Sequence, residues 1–147
     1  MSKYVAMRNR HQTKINAFPM FFAFSEQQFN EGMARFGLAP DETDKLCRIS
    51  QVGGFCLKTD APALREMWDR HEKDLADAIA GDKTGEGFIF DMFMYELSNH
   101  EYTYTYRVDD AVDALGLSDD DFENNPALRH GLQKACEAQR AWADAQE

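Results

Sequence analysis

At 147 residues, with 44% hydrophobic and 12% aromatic residues, the chain has the composition of one folded domain and too much apolar content to be disordered. Its longest apolar run, Phe88 to Leu97, is interrupted by Asp91 and Glu96 and falls short of the ~20 residues a membrane helix needs. The net charge of −10 weighs against direct binding of nucleic acid or anionic lipid.

Residues 3–15 read as a short helix with Val5, Arg8, His11 and Ile15 near one face, ended by Pro19. Lys3, Arg8, Arg10 and Lys14 precede no secretory apolar stretch, so the expected compartment is the cytoplasm. Met20 to Phe24 is a short aromatic run suited to a buried strand. Ser25 and Gln28 form a capping-box pattern that opens a second helix. Phe29, Met33 and Phe36 give its apolar stripe, and Gly37 supplies a left-handed stop.

Leu46 to Gln51 and Gly54 to Lys58 read as a hairpin turning at Val52-Gly53. In that register Ile49 faces Cys56, and Cys47 is diagonal to it, roughly 7–8 Å away, long for a disulfide. The third cysteine is Cys136. An odd count without repeated spacing predicts three reduced thiols.

Asp60 and Pro62 start a long helix running to about Ala80 and closed by Gly81. Leu64, Met67, Trp68, His71, Leu75, Ala78 and Ile79 share one of its faces. Glu86 to Asn99 is apolar nearly all round, as expected of a central helix. Tyr102, Tyr104 and Tyr106 alternate with Thr103 and Thr105, which predicts a strand or extended segment with the tyrosines on one face. Val108 to Leu115 forms a short helix closed by Gly116, Ser118 caps another, and Pro126 opens a last helix through about Ala143. The expected fold is a single helix-rich α+β domain, residues 1–147, with a small, mostly antiparallel sheet covered by helices.

Charge is distributed unevenly. Residues 1–58 hold eight Lys/Arg and five Asp/Glu, a balance of +3, whereas residues 59–147 hold eight Lys/Arg and twenty-one Asp/Glu, a balance of −13. Between Asp91 and Glu123 there are ten acids and one base, Arg107. Asp109, Asp110 and Asp113 form one cluster, and Asp119, Asp120, Asp121 and Glu123 another. Carboxylates spaced like phosphates would imitate DNA, which carries one charge per roughly 1.7 Å of axis. Most of these acids also fall at predicted helix N-termini, where they cap amides and oppose the dipole. Local chemistry does not explain why a single base lies among them. With Tyr102, Tyr104 and Tyr106 beside them, these acids are the candidate partner-binding surface. For the tyrosines alone, packing at the edge of a small sheet is the simpler account.

A weaker candidate is a metal or histidine site. Glu96 and His100 share a helix face, Glu101 follows, and His71 sits on the apolar stripe of its own helix. No H-E-x-x-H, C-x-x-C, G-x-S-x-G, Walker A or G-x-G-x-x-G pattern supports an enzyme, and no cofactor is expected. A histidine on an apolar face more often serves the core.

Arg10-His11-Gln12, Phe22-Ala23-Phe24, Gln28-Phe29-Asn30-Glu31-Gly32, Arg70-His71-Glu72 and the run Tyr95-Glu96-Leu97-Ser98-Asn99-His100-Glu101-Tyr102 resemble a family of small uncharacterised proteins of phages, plasmids and integrative elements of gut bacteria. The resemblance covers about residues 8–117. It implies an accessory protein acting on a host or rival defence system, in surroundings that also yield small acidic inhibitors of CRISPR nucleases. The leading expectation is therefore a non-enzymatic, anti-CRISPR-like inhibitor in the host cytoplasm. Its partner would be a protein with a basic nucleic-acid-binding surface, such as a CRISPR effector. The alternatives are a small enzyme using His71, Glu96, His100 and Glu101, and a self-assembling regulatory or structural protein.

Overall fold

In the computed structural model, which describes residues 1–49 and 53–146, helices dominate: 70% of the described residues are helical, and among them lie three strands of three to four residues. The fold is the expected helix-rich α+β with a small antiparallel sheet. It comprises two compact units, residues 12–72 and residues 1–11 with 73–147.

The first unit holds strands β1 (Met20–Phe22), β2 (Leu46–Ile49) and β3 (Gly54–Leu57) in the order β1-β3-β2, all antiparallel. Side chains alternate across the sheet. Phe21 and Phe55 stack on one face and meet helix α2 (Glu26–Arg35) through Phe29. On the other, Cys56 and Ile49 join Leu64 and Met67 from the start of helix α3 (Ala61–Gly81). Ser25 accepts from the Gln28 N–H at 3.2 Å, as a capping residue should. The return bond is displaced by one residue, because the Gln28 side chain accepts from the Phe24 N–H instead. Gly37 takes φ +72°, the left-handed stop its position called for.

The hairpin register differs from expectation. Ile49 pairs with Gly54, and Cys47 pairs directly with Cys56. The alignment is shifted by two residues, and a two-residue slip keeps every side chain on its original face. The burial pattern therefore fits both registers. The predicted turn residue Val52 and the strand ends Ser50 and Gln51 lie outside the described residues; Gly53 has φ +67°.

The second unit is built around helix α4 (Phe88–Asn99), which is the central helix its all-round apolarity predicts. Ile89, Met92, Phe93 and Leu97 are fully buried. Against them pack Tyr4 of helix α1 (Lys3–Ala17), Ala111 and Leu115 at helix α6 (Asp109–Ala114), and Leu128 and Ala135 of helix α8 (Pro126–Ala145). Asn125 caps α8, its side chain accepting from the Leu128 N–H at 3.1 Å, with Pro126 at the first helical position. Gly131 lets α8 approach α4 closely: a Cβ there would collide with Ile89 and reach the Gly85 carbonyl at 2.6 Å.

Tyr102 to Thr105 form a single helical turn, α5, rather than an extended segment. Glu101 and Tyr106 bracket the turn with φ of 59° and 54°, a conformation non-glycine residues rarely adopt. On a helical turn, residues four apart share a face and the one between them points away. Accordingly Tyr102 and Tyr106 meet edge to face at 5.9 Å, while Tyr104 projects outward, 86% exposed. Among the described residues, no helix is long and apolar enough to cross a membrane.

Candidate functional site

Helices α6, α7 (Asp119–Asn124) and α8 enclose an open groove of about 890 Å³. Its apolar floor includes Val108, Val112, Leu117, Phe122 and Leu132. Asp109, Asp113, Asp119 and Glu123 line it, so four of the seven predicted acids converge on one concave surface. Asp110, Asp120 and Asp121 are exposed but do not line the groove.

These acids have unlike local roles. Asp121 completes a capping box, accepting from the Ser118 N–H at 2.8 Å while its own N–H donates to Ser118 Oγ at 3.3 Å. Asp109 pairs with Arg107 at 2.8 Å in an exposed salt bridge. Asp109 and Asp119 each begin a helix, where the amide dipoles favour a negative charge. Asp113 and Glu123 sit instead in the last turns of α6 and α7, where an acid opposes the dipole. Arg129 reaches back to the end of α7 and donates to the carbonyls of Phe122 and Glu123, which places one base among the four groove acids.

The tyrosines do not form one surface. Tyr102 is buried in the core at 1% exposure and is out of a partner's reach, contrary to its predicted place on a partner-binding face. Its hydroxyl accepts from Arg140 Nε at 2.8 Å, and the Arg140 guanidinium lies over the rings of both Tyr102 and Tyr106. Tyr104 and Tyr106 are exposed.

Glu96 and His100 do share a helix face, with Oε2 and Nε2 3.4 Å apart. What gathers around Glu96, however, comes from α1. The Tyr4 hydroxyl donates to Glu96 Oε1 at 2.6 Å, and Arg8 Nε lies 3.6 Å from the same oxygen. Both oxygens of this buried carboxylate are thus engaged by protein groups, and the cluster fastens α1 to α4. Burial, and then the bond to Glu96, raise the Tyr4 pKa far above the usual phenol range. Glu101 is exposed, and His71 is half-buried in the residue 12–72 unit. Among the described residues no group of three or more His, Cys, Asp and Glu side chains is placed to hold a metal ion. Tyr4 was invisible as a partner of Glu96 in the sequence; the available clue was its position one turn before Arg8.

A second polar knot precedes α4. The Asp82 carboxylate accepts from the N–H groups of Gly85, Gly87 and Ile89 at 3.0 to 3.1 Å, and from Thr84. Burial alone would raise its pKa; the amides of Ile89, Gly85 and Gly87 outweigh that and hold it below the usual carboxylate range. Within the Gly85-Glu86-Gly87 loop the two glycine amides are therefore occupied by the chain's own carboxylate, and the Glu86 N–H donates to the Thr84 hydroxyl at 3.1 Å.

A model of the family of unknown function DUF7659 matches residues 3–138, and the chain belongs to that family. No curated protein and no solved structure matches it.

Proposed function

We propose that this DUF7659 protein is a non-enzymatic binding protein of a mobile element. In this reading it acts in the host cytoplasm and occupies the basic nucleic-acid-binding surface of a host defence protein, a CRISPR effector being the leading candidate. The observation that carries the reading is the convergence of Asp109, Asp113, Asp119 and Glu123 on one groove. With four acids to one base, Arg129, above an apolar floor, the groove keeps a net negative charge that attracts cationic side chains. The uneven charge, −13 over residues 59–147, adds long-range attraction for such a partner. The resemblance to mobile-element proteins supplies the context. Tyr104 and Tyr106 contribute exposed aromatic area, and Tyr102 has no part in the surface.

The test is capture of purified candidate effectors on immobilised protein at two ionic strengths. At about 0.1 M salt the screening length is about 10 Å, and it shrinks to about 3 Å at 1 M. Capture should be strong at low salt and fall steeply at high salt. Capture that is indifferent to salt, or absent at both strengths, overturns the reading.

A further inference from the structure

Cys47 and Cys56 occupy directly facing positions on neighbouring antiparallel strands. Facing residues project to the same side of a sheet, with Cα atoms roughly 4.5 to 5.5 Å apart. A disulfide needs Cα atoms about 4.4 to 6.8 Å apart, a range that directly facing strand positions satisfy. Both thiols are free. They share one apolar cluster with Ile49 and Leu64. The two differ in access: Cys56 is fully buried, whereas Cys47 is half-buried. Burial, and after it the adjacent Cys47 thiol, push the Cys56 pKa up, so Cys56 is a poor first target for an oxidant.

We infer that Cys47 and Cys56 form an oxidisable pair, in which peroxide oxidises Cys47 and Cys56 resolves the product into a reversible cross-strand disulfide.

The chemistry balances in two steps. The Cys47 thiolate attacks one oxygen of hydrogen peroxide, the O–O bond breaks, and Cys47 becomes a sulfenic acid as hydroxide leaves. The Cys56 sulfur then attacks the sulfenic sulfur, giving up its proton, and a second hydroxide leaves. The two thiol protons neutralise the two hydroxides. Two thiols and one peroxide thus become one disulfide and two waters, and a dithiol reductant reverses the change. The bond ties β2 to β3 and fixes the register that side-chain burial alone leaves open. Cys136, in the residue 73–147 segment of the other unit, serves as an internal control.

The full chain, reduced and then exposed to hydrogen peroxide, is digested without reductant and its peptides are weighed. The expected product is a monomer carrying a Cys47–Cys56 peptide pair, with Cys136 unpaired. The pair should form equally in Cys136→Ser and be lost in Cys47→Ser. Phenylarsine oxide, which bridges two close thiols, should load the reduced wild type one to one and fail on Cys47→Ser. Disulfide-linked dimers, a pair involving Cys136, or sulfinic acid at Cys47 with Cys56 still free would each overturn the inference. So would phenylarsine oxide loading that persists in Cys47→Ser. Cys47 lies at the half-buried position, so its serine variant retains the packing around Cys56, and matching circular dichroism of the two proteins checks this.

Discussion

The Tyr4 hydroxyl donates to the Glu96 carboxylate at 2.6 Å, joining two buried residues 92 positions apart in the chain. A carboxylate at 4% exposure has lost most of its water, so each hydrogen bond it receives replaces solvation it cannot recover. Tyr4→Phe keeps the ring and its contacts with Phe88 and Tyr95 but removes the donor. Hydrogen bonds to charged groups contribute about 1.5–3 kcal/mol, and that loss should appear as a lower urea midpoint with an unchanged slope. A midpoint equal to the wild type would mean that Arg8 and His100 satisfy Glu96 without Tyr4.

Alkaline pH should loosen the same clamp. Burial, then Glu96, raise the Tyr4 pKa; burial, then the Cys136 thiol, raise that of Tyr102. Unfolded phenols ionise near about pH 10 while these two stay neutral, so above that pH the folded state binds more protons than the unfolded one. Their contribution is therefore complete below about pH 10 and lost progressively above it. Urea midpoints between about pH 8 and about pH 11 should fall, and fall less steeply in Tyr4→Phe. Parallel curves for the two proteins would remove Tyr4 from the account.

Asp82 gives the opposite sign. Its folded pKa is depressed by the amides of Ile89, Gly85 and Gly87 against the pull of burial. Its contribution is present above the unfolded carboxylate value of about 3.9 and disappears as pH falls through the lower folded value. Asp82→Ala should cost about 0.5–2 kcal/mol at neutral pH, the range of a lost helix cap, and the wild type and variant should converge in acid. A difference that persists at low pH would point to packing rather than to the carboxylate.

Local signals in the sequence specified most of the elements. Ser25 and Gln28, Gly37, Ser118 and Pro126 act through hydrogen bonds and φ angles within a few residues, so their positions could be read directly. The apolar circumference of α4 likewise announced a central helix. Tyr102 to Tyr106 misled because alternation over five residues also fits one helical turn, and the left-handed Glu101 and Tyr106 that frame it carry no glycine to announce them. The cysteine register failed because a two-residue slip preserves inside and outside. Of the site, the acids were legible as a bias in composition. Their division into Asp109, Asp113, Asp119 and Glu123 around the groove and Asp110, Asp120 and Asp121 away from it depends on how α6 and α7 lie against α8.

Asp113 and Glu123 separate stability from function most sharply. Each occupies the last turn of a short helix, where the partial negative charge of the free carbonyls disfavours an acid. Neither is the capping residue of its helix. Asp113→Lys and Glu123→Lys should therefore leave folding intact or strengthen it by about 0.3–1 kcal/mol each. Both residues line the groove, whose four acids and Arg129 sum to −3, so each change cuts that charge to −1 and should weaken capture of a basic partner at low salt. Asp120→Lys is the control: it changes the net charge equally but lies away from the groove, at a helix N-terminus where losing an acid is unfavourable. Binding that falls with Asp113→Lys and Glu123→Lys but survives Asp120→Lys places recognition in the groove. Equal losses from all three would reduce the effect to overall charge and count against a defined site.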